Sequence, residues 1–260
     1  MADRFELMVA PTGARLSKAD HPALPISFDE IADTAEACAA LGTSSIHVHV
    51  RDQDEQHALD PDLYAQALKA IRAKTQIDIQ FSTEAAGLFE PAAQVDCLLH
   101  PDTTHASVAL REFERAPDRL AEVYQSAHAA GKRLQHILYD PDDVVRLRQY
   151  IDAGTVPAAR HQVIFVLGRY TENQQSNPSD LTPFLDAMGK EPWHWSLCAF
   201  GQQEQACLLD ALQHGGHARI GFENNRLTPN GAVFDDNIAS VESFLNEAAR
   251  AGFQPSESLL

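Results

Sequence analysis

The sequence predicts a (β/α)₈ barrel, the α/β fold of TIM-barrel proteins. Eight short apolar runs alternate with segments whose apolar residues recur at helical spacing, which is the pattern of parallel strands joined by helices. A length of 260 residues is common for one such barrel. The main alternative, a doubly wound sheet, usually has a glycine-rich phosphate loop after its first strand, and none is present here. We therefore expect residues 1–260 to form a single barrel domain.

The predicted strands are short, and several are apolar almost throughout, as strands covered on both faces should be. The clearest covers residues 162–167. Including the strand that carries His47 and His49, the eight predicted strands lie at residues 5–10, 47–49, 77–82, 105–110, 133–139, 162–167, 194–200 and 218–222.

Capping residues mark the helices between these strands. Ser27, followed three residues later by Glu30, predicts a capping box at the start of the first helix, and Gly42 is expected to end it. Asp60 and Pro61 predict the start of the second helix. Residues 168–179 are rich in Asn, Gln and Ser and form either a loop at the active-site mouth or a disordered loop. Further helices are predicted over residues 118–131, 142–152, 181–188, 204–213 and 235–251.

Composition narrows the class of protein. The sequence is 44% hydrophobic and 22% charged, which is typical of a globular protein with a large core. No apolar run approaches the roughly 20 residues that cross a bilayer, and the first residues lack a signal-peptide pattern. The four cysteines have no CxxC spacing and are expected to be reduced. We therefore expect a cytoplasmic protein.

Net charge narrows the choice of partner. A value of −17 is unfavourable for broad binding to nucleic acids or anionic membranes, which requires a basic surface. It still allows an anionic small substrate, because salt screens distant charges over about 8–10 Å and a few arginines in one pocket would dominate locally. The expected partners are therefore small molecules.

Two histidines in the second predicted strand indicate a metal site. Alternate residues of a strand share a face, so His47 and His49 point the same way, about 7 Å apart at Cα. Glu223, at the end of the last apolar run, would add the carboxylate of a three-ligand catalytic zinc site. A polar strand face without a metal is the alternative, and the histidine pair alone does not decide between the two.

The same residues carry a resemblance to a known family. Residues 46–52 and 215–225 resemble the His-x-His-x-Arg and Gly-Gly-His-x-Arg-x-Gly-x-Glu-Asp-Asn signatures of the β-keto acid cleavage enzymes, the family of 3-keto-5-aminohexanoate cleavage enzyme. The resemblance extends over nearly the whole chain. Related motifs are Pro11-Thr12-Gly13-Ala14, Pro22-Ala23-Leu24-Pro25-Ile26-Ser27, Gln80-Phe81-Ser82-Thr83, Val166-Leu167-Gly168 and Asp236-Asn237.

This resemblance implies a reaction and its cofactor. Residues matching His47, His49 and Glu223 hold Zn²⁺ in the family, and a β-keto acid reacts with acetyl-CoA to give acetoacetate and a new acyl-CoA. A divalent cation that binds the keto oxygen and the carboxylate acidifies the C–H between them, because it stabilises the enolate. A homotetramer is implied as well.

The resemblance also assigns residues around the metal. Arg219 matches an arginine that pairs with an aspartate in proton transfer, and on a strand it faces the same side as Glu223. Ser82 matches a serine that contacts the substrate. A surface ion pair for Arg219 and a strand-capping role for Ser82 are the alternatives. Further substrate contacts are expected from Thr83, Ala85, His105 and Ser107.

Three departures from the family pattern fall at this site. Asn224 replaces the aspartate that pairs with the arginine, and an amide does not accept a proton as a carboxylate does. Arg15 replaces a glutamate, and Glu84 replaces a glycine. Our hypothesis is that Glu84 acts as the catalytic base, or that Arg15 and Glu84 form an ion pair that recognises a different acyl tail. An acidic end of the substrate facing Arg15 would fit this exchange.

The candidate residues follow the first, second, third and eighth strands, which are neighbours in a closed barrel. Because barrel active sites form at the C-terminal ends of the strands, these residues should converge. Two other functions remain open. One is a zinc hydrolase that uses metal-activated water, and the other is a drifted metal-binding paralogue with little activity.

Overall fold

The structure is a computed structural model that describes residues 3–256, so the ends of the expected domain, residues 1–2 and 257–260, lie outside it. Eight parallel strands close into a barrel in the order β2, β3, β6, β7, β8, β9, β10 and β11, which confirms the predicted fold class. Numbered along the chain, the strands are β1 (Asp3–Phe5), β2 (Leu7–Val9), β3 (Ser45–Val48), β4 (Val50–Arg51), β5 (His57–Ala58), β6 (Asp78–Ser82), β7 (His105–Ala109), β8 (Arg133–Leu138), β9 (Gln162–Leu167), β10 (His194–Ala199), β11 (His217–Ile220) and β12 (Phe253–Pro255).

Helices connect the barrel strands on the outside. The predicted capping box is present: the Ser27 hydroxyl accepts a hydrogen bond from the Glu30 amide at 3.3 Å, and the Glu30 carboxylate accepts one from the Ser27 amide at 3.0 Å. The helices are α1 (Phe28–Ala40), α2 (Pro61–Arg72), α3 (Pro91–Leu99), α4 (Leu110–Phe113), α5 (Pro117–Ala129), α6 (Pro141–Asp152), α7 (Thr182–Met188), α8 (Glu204–Gln213) and α9 (Asn237–Arg250).

Two predicted strands are divided in the structure. The strand expected over residues 5–10 is split into β1, which pairs with β12 outside the barrel, and β2, which lies in it. The second strand leaves the barrel after Val48, and β4 then forms an antiparallel hairpin with β5. His49 therefore lies at the bend between the two strands.

The apolar core lies between the barrel and its helices, where residues such as Ile46 and Phe165 are fully buried. The barrel interior is partly polar: Gln80, Gln135 and Ser196 are buried there and hydrogen-bonded to one another. No helix within residues 3–256 is long and apolar enough to cross a bilayer. The polar interior leads toward the C-terminal ends of the strands, where the predicted site residues lie.

Candidate active site

The side chains of His47, His49 and Glu223 converge on one point at the C-terminal end of the barrel. The two Nε2 atoms lie 3.2 Å apart, and Glu223 Oε2 lies 3.7 Å from His47 Nε2 and 3.6 Å from His49 Nε2. Two ligands held at 2.0–2.1 Å by a tetrahedral ion lie about 3.3–3.4 Å apart. The observed spacings therefore fit one shared cation after shifts of a few tenths of an ångström.

The protonation states of these groups also fit a cation. Burial lowers the pKa of His47 to about 4 and that of His49 well below its usual range, so both rings are neutral near pH 7. His47 Nδ1 lies 2.7 Å from the Gln80 side-chain oxygen, so Nδ1 carries the hydrogen and Nε2 carries a lone pair. Glu223 Oε2 is buried without a hydrogen-bond partner among residues 3–256. Such a set of electron-pair donors suits Zn²⁺.

Arg219 fixes the Glu223 carboxylate. Its Nη2 donates to Glu223 Oε1 at 3.1 Å and lies 3.2 Å from Cys198 Sγ. One carboxylate oxygen is thus held by the guanidinium, while the other faces the two histidines. Arg219 is only 4% exposed, so its contact with Glu223 is not the surface ion pair considered as an alternative.

Glu84 lies between two arginines in the same cavity. Its Oε1 is 3.6 Å from Arg15 Nη2, which forms the expected ion pair, and 3.3 Å from Arg169 Nη2, which sequence analysis did not single out. Arg15 is largely exposed, whereas Glu84 and Arg169 are mostly buried. Burial, followed by the negative charge of Glu223, raises the pKa of Glu84 despite the arginines. This shift brings the carboxylate closer to the basicity that a general base needs near neutral pH.

One cavity of about 290 Å³ collects most of the predicted residues. Asn224 contributes an amide whose nitrogen and oxygen have no hydrogen-bond partner within the described chain. The predicted residues in its wall are Thr12, Arg15, His47, His49, Ser82, Glu84, Arg219, Glu223 and Asn224, and the wall residues that were not predicted include Tyr139, Arg169, Phe200, Gln202 and Arg226.

Four expected substrate contacts lie outside this cavity. Thr83 donates its hydroxyl to the Ser107 carbonyl at 2.7 Å, and the Ala85 amide donates to Glu112 at 3.0 Å. His105 begins β7, so it lies toward the opposite end of the barrel, with Nδ1 3.0 Å from Asp78 Oδ2. None of these four residues lies in the wall of the cavity, so their expected contacts with the substrate stay predictions.

Two arginines to which the sequence assigned no role, Arg169 and the signature residue Arg51, help to build the site. Arg169 follows β9 by two residues, and the rule that barrel sites form just past the strand ends points to this position. Arg51 donates from Nη2 to the carbonyls of Gly13 at 2.7 Å and Leu16 at 2.9 Å. It thereby holds the loop that carries Arg15 over the cavity.

A closed (β/α)₈ barrel with a buried His₂Glu cluster in a polar cavity at its C-terminal end is the architecture of a TIM-barrel enzyme. Residues 5–258 match the beta-keto acid cleavage enzyme family, and the chain belongs to it. The family resemblance is thereby confirmed, as is the expectation of a carbon–carbon bond-cleaving enzyme.

Curated relatives match nearly end to end. The chain is 26% identical to the 3-keto-5-aminohexanoate cleavage enzyme of Fusobacterium nucleatum, over 97% of this chain and 94% of the relative. It is 24% identical to the 3-oxoadipate:acetyl-CoA acetyltransferase of Cupriavidus necator, over 90% of this chain and 87% of the relative. These relatives differ in the substrate that they are named for, so family membership alone does not define the acyl group.

Solved structures show the same fold at lower identity. A ternary complex of ObcA with a C4-CoA adduct and oxalate superposes with a TM-score of 0.68 at 14% identity. The match covers 90% of this chain, which spans 65% of the ObcA chain. The type I 3-dehydroquinate dehydratase of Clostridium difficile gives a TM-score of 0.61, also at 14% identity. At these identities the likeness establishes the barrel fold alone.

Proposed function

We propose that this protein is a zinc-dependent enzyme that cleaves a β-keto acid with acetyl-CoA, giving acetoacetate and a new acyl-CoA. The observation that carries the proposal is the convergence of two neutral histidine nitrogens and one carboxylate oxygen in a cavity that also holds a second carboxylate, Glu84. Relatives named for acetyl-CoA-dependent reactions, such as 3-dehydrocarnitine:acetyl-CoA trimethylamine transferase of Rhizobium meliloti, support the co-substrate.

In the proposed mechanism, His47, His49 and Glu223 would hold Zn²⁺, which would supply Lewis-acid stabilisation of the charge that develops on the substrate oxygens. Glu84 removes the proton from the carbon between the keto and carboxylate groups, because its raised pKa and buried position suit a general base. The resulting carbanion attacks the acetyl thioester, and the Asn224 amide donates to the oxyanion that forms. CoA leaves the acetyl carbon as a thiolate and attacks the original keto carbonyl. The bond between that carbonyl carbon and the former carbanion carbon then breaks to give the new acyl-CoA, and protonated Glu84 returns its proton to the acetoacetate carbanion.

The charges at the cavity mouth support an anionic substrate tail. Arg15 and Arg169 share a single carboxylate, Glu84, which leaves one positive charge in excess within this group. A guanidinium matches a carboxylate in geometry and binds it through paired hydrogen bonds. We therefore propose a β-keto acid with a second acidic group as substrate. One relative is named for 3-oxoadipate, a diacid of this kind, and others are named for amino-containing substrates, so the proposal rests on the two arginines.

Metal analysis and a substrate screen test this function together. The purified protein should contain about one zinc per chain, and β-keto acids with anionic tails should give acetoacetate and acyl-CoA faster than those with neutral or cationic tails. Hydrolysis without coenzyme A would instead indicate a zinc hydrolase. Tight binding without turnover would indicate a binding protein, and either result would overturn the proposal.

We also propose that the enzyme is a homotetramer in the cytoplasm. All four cysteines are buried free thiols in the structure, which is compatible with a reducing compartment. Sedimentation velocity should give a mass of four chains, and a monomeric species at micromolar concentration would contradict the assembly. Fractionation of the producing cells should place the protein in the cytosolic fraction.

A further inference from the structure

A chain of buried polar side chains extends from His47 into the barrel interior. His47 Nδ1 contacts the side-chain oxygen of Gln80 at 2.7 Å. The Gln80 amide nitrogen lies 3.0 Å from His105 Nε2 and 3.0 Å from the Gln135 side-chain oxygen. Gln80 is fully buried, and the other three residues are at most 4% exposed. Because these groups are almost fully buried, we expect their hydrogen bonds to be made mainly with one another.

At the far end of this row of hydrogen-bonded side chains, the positions of donors and acceptors are fixed. His105 Nδ1 lies 3.0 Å from Asp78 Oδ2, and Arg133 donates to the other carboxylate oxygen at 2.5 Å. Burial raises the pKa of Asp78, but the hydrogen bonds from His105 and Arg133 lower it overall, so the carboxylate is ionised. An ionised carboxylate only accepts hydrogen bonds, so Nδ1 of His105 carries the hydrogen. Burial keeps the ring neutral, which leaves Nε2 as an acceptor.

The orientation of Gln80 follows from these positions. Its NH₂ group donates one hydrogen to His105 Nε2 and the other to Gln135, whose own amide nitrogen donates to Ser196 Oγ at 3.0 Å. A flipped Gln80 amide would place its oxygen against the lone pair of His105 Nε2, and against the Gln135 oxygen in its present orientation, in a buried interior, which is costly. Its oxygen is therefore held toward His47.

We propose that Gln80, oriented by Asp78, His105 and Gln135, is the positioning residue that fixes the His47 ring with its hydrogen on Nδ1 and its lone pair on Nε2. The inference rests on the proposed function, because that function supplies the cation that the Nε2 lone pair would bind. It assigns a purpose to His105, which lies outside the cavity. Partners of this kind orient metal-binding histidines, and their loss typically lowers metal affinity about 10–100-fold.

Two substitutions at Gln80 separate orientation from packing. Gln80→Met keeps the volume but removes the acceptor, so zinc affinity, measured by chelator competition, should fall about 10–100-fold. Gln80→Glu keeps an oxygen for His47 Nδ1 while losing the donors to His105 and Gln135, so zinc affinity should stay within about threefold even if the protein is less stable. Gln94→Met is the matched control, because Gln94 is equally buried but binds Thr83 and Glu112.

The order of the affinities decides the outcome. A loss of zinc affinity in Gln80→Met alone supports the inference. Three other results would show that only packing matters and would overturn the inference. Zinc affinity could fall equally in both Gln80 variants, fall further in Gln80→Glu, or fall by a comparable factor in Gln94→Met. If the wild-type protein binds no divalent cation, the proposed function fails instead, so the two failures are distinguishable.

The tautomer of His47 provides a test that needs no variant at Gln80. Long-range ¹H–¹⁵N spectra of the chelator-treated wild-type protein, with the His47 signals assigned by comparison with His47→Gln, should show a neutral ring protonated at Nδ1. Protonation at Nε2 with a bare Nδ1 would overturn the inference, whether or not zinc binds. The same spectra should show His105 protonated at Nδ1.

Discussion

At the scale of single residues, burial and close neighbours determine what each polar group does. Arg219 and Glu223 were expected near the metal from their motif alone, and the structure brings them into contact at 3.1 Å. Arg169 was missed because an arginine after a strand is common, and only the closed barrel brings it within 3.3 Å of Glu84. His105 lies outside the cavity wall because it starts its strand, and a matching motif does not reveal which end of the barrel a residue faces.

The role proposed for Glu84 leads to a first prediction. Glu84→Gln keeps the shape of the side chain but removes the basic carboxylate, so kcat should fall by about 10²–10⁴ with the zinc content unchanged. Steady-state kinetics with metal analysis measure both quantities. Glu112→Gln serves as a control because Glu112 is a partly buried carboxylate outside the cavity, hydrogen-bonded to Ala85 and Gln94. Near-normal turnover of Glu84→Gln would exclude it as the base.

Gly13 leads to a second prediction. Its φ is +66°, and an added Cβ would lie 2.7 Å from Glu223 Cγ. Gly13→Ala should therefore displace the carboxylate and weaken zinc binding by tenfold or more. Gly131→Ala is a close control, because its φ is +67° but nothing lies within 4 Å of the added Cβ. Equal zinc affinities in the two variants, measured by competition with a chelator, would show that the clash does not matter.

At the scale of secondary-structure elements, the barrel strands and most helices could be predicted because apolar runs and capping residues mark them. The strand at residues 162–167 was predicted to the residue. Helix α3 was missed because Pro91–Leu99 has a weak apolar face and no side-chain cap at Glu90. The pairing of β1 with β12 joins segments about 250 residues apart, which no local pattern reveals.

The capping box of α1 leads to a prediction about pH. Burial raises the pKa of Glu30, but Lys18 and the backbone amides of Ser27 and Ile26 outweigh it and lower the pKa from 4.5 to about 2. The ionised carboxylate therefore stabilises the folded state above pH 4.5, and this contribution is lost as the pH falls toward 2. Glu30→Gln should be less stable than wild type at pH 6, and the gap should close at low pH.

Urea denaturation between pH 6 and pH 2.5 measures this difference. Asp62→Asn is a suitable control, since Asp62 is likewise an acidic residue in the first turn of a helix, α2. A gap between Glu30→Gln and wild type that does not change with pH would contradict the assignment.

At the scale of the whole molecule, we propose that residues 1–260 form one domain, because β2 pairs with β11 and β3, so the first and last parts of the chain close the same barrel. Unfolding followed by circular dichroism and by fluorescence of Trp193 and Trp195 should therefore give coincident transitions. Separate transitions for the two probes would indicate independently folding parts.

Zinc removal should shift this single transition. A ligand at about 100 times its Kd stabilises the folded state by about 2.7 kcal/mol, and a chain of this size gains roughly 2–4 °C per kcal/mol. Chelation should thus lower the midpoint by about 5–10 °C. Glu223→Gln is the control, because it lacks a proposed ligand and should respond little to the chelator. An unchanged wild-type midpoint would count against a resident metal.

The arrangement of the cavity wall has a consequence for how this enzyme could diversify. The proposed metal ligands belong to β3 and β11 and the bends that follow them, whereas Tyr139, Arg169 and Phe200 follow β8, β9 and β10. Of the two arginines proposed to bind the substrate tail, Arg15 follows β2, between the metal-binding strands, whereas Arg169 follows β9, which carries no proposed metal ligand. Exchange of the segment after β9 alone could retarget the enzyme to new acids while its reactive centre stays intact.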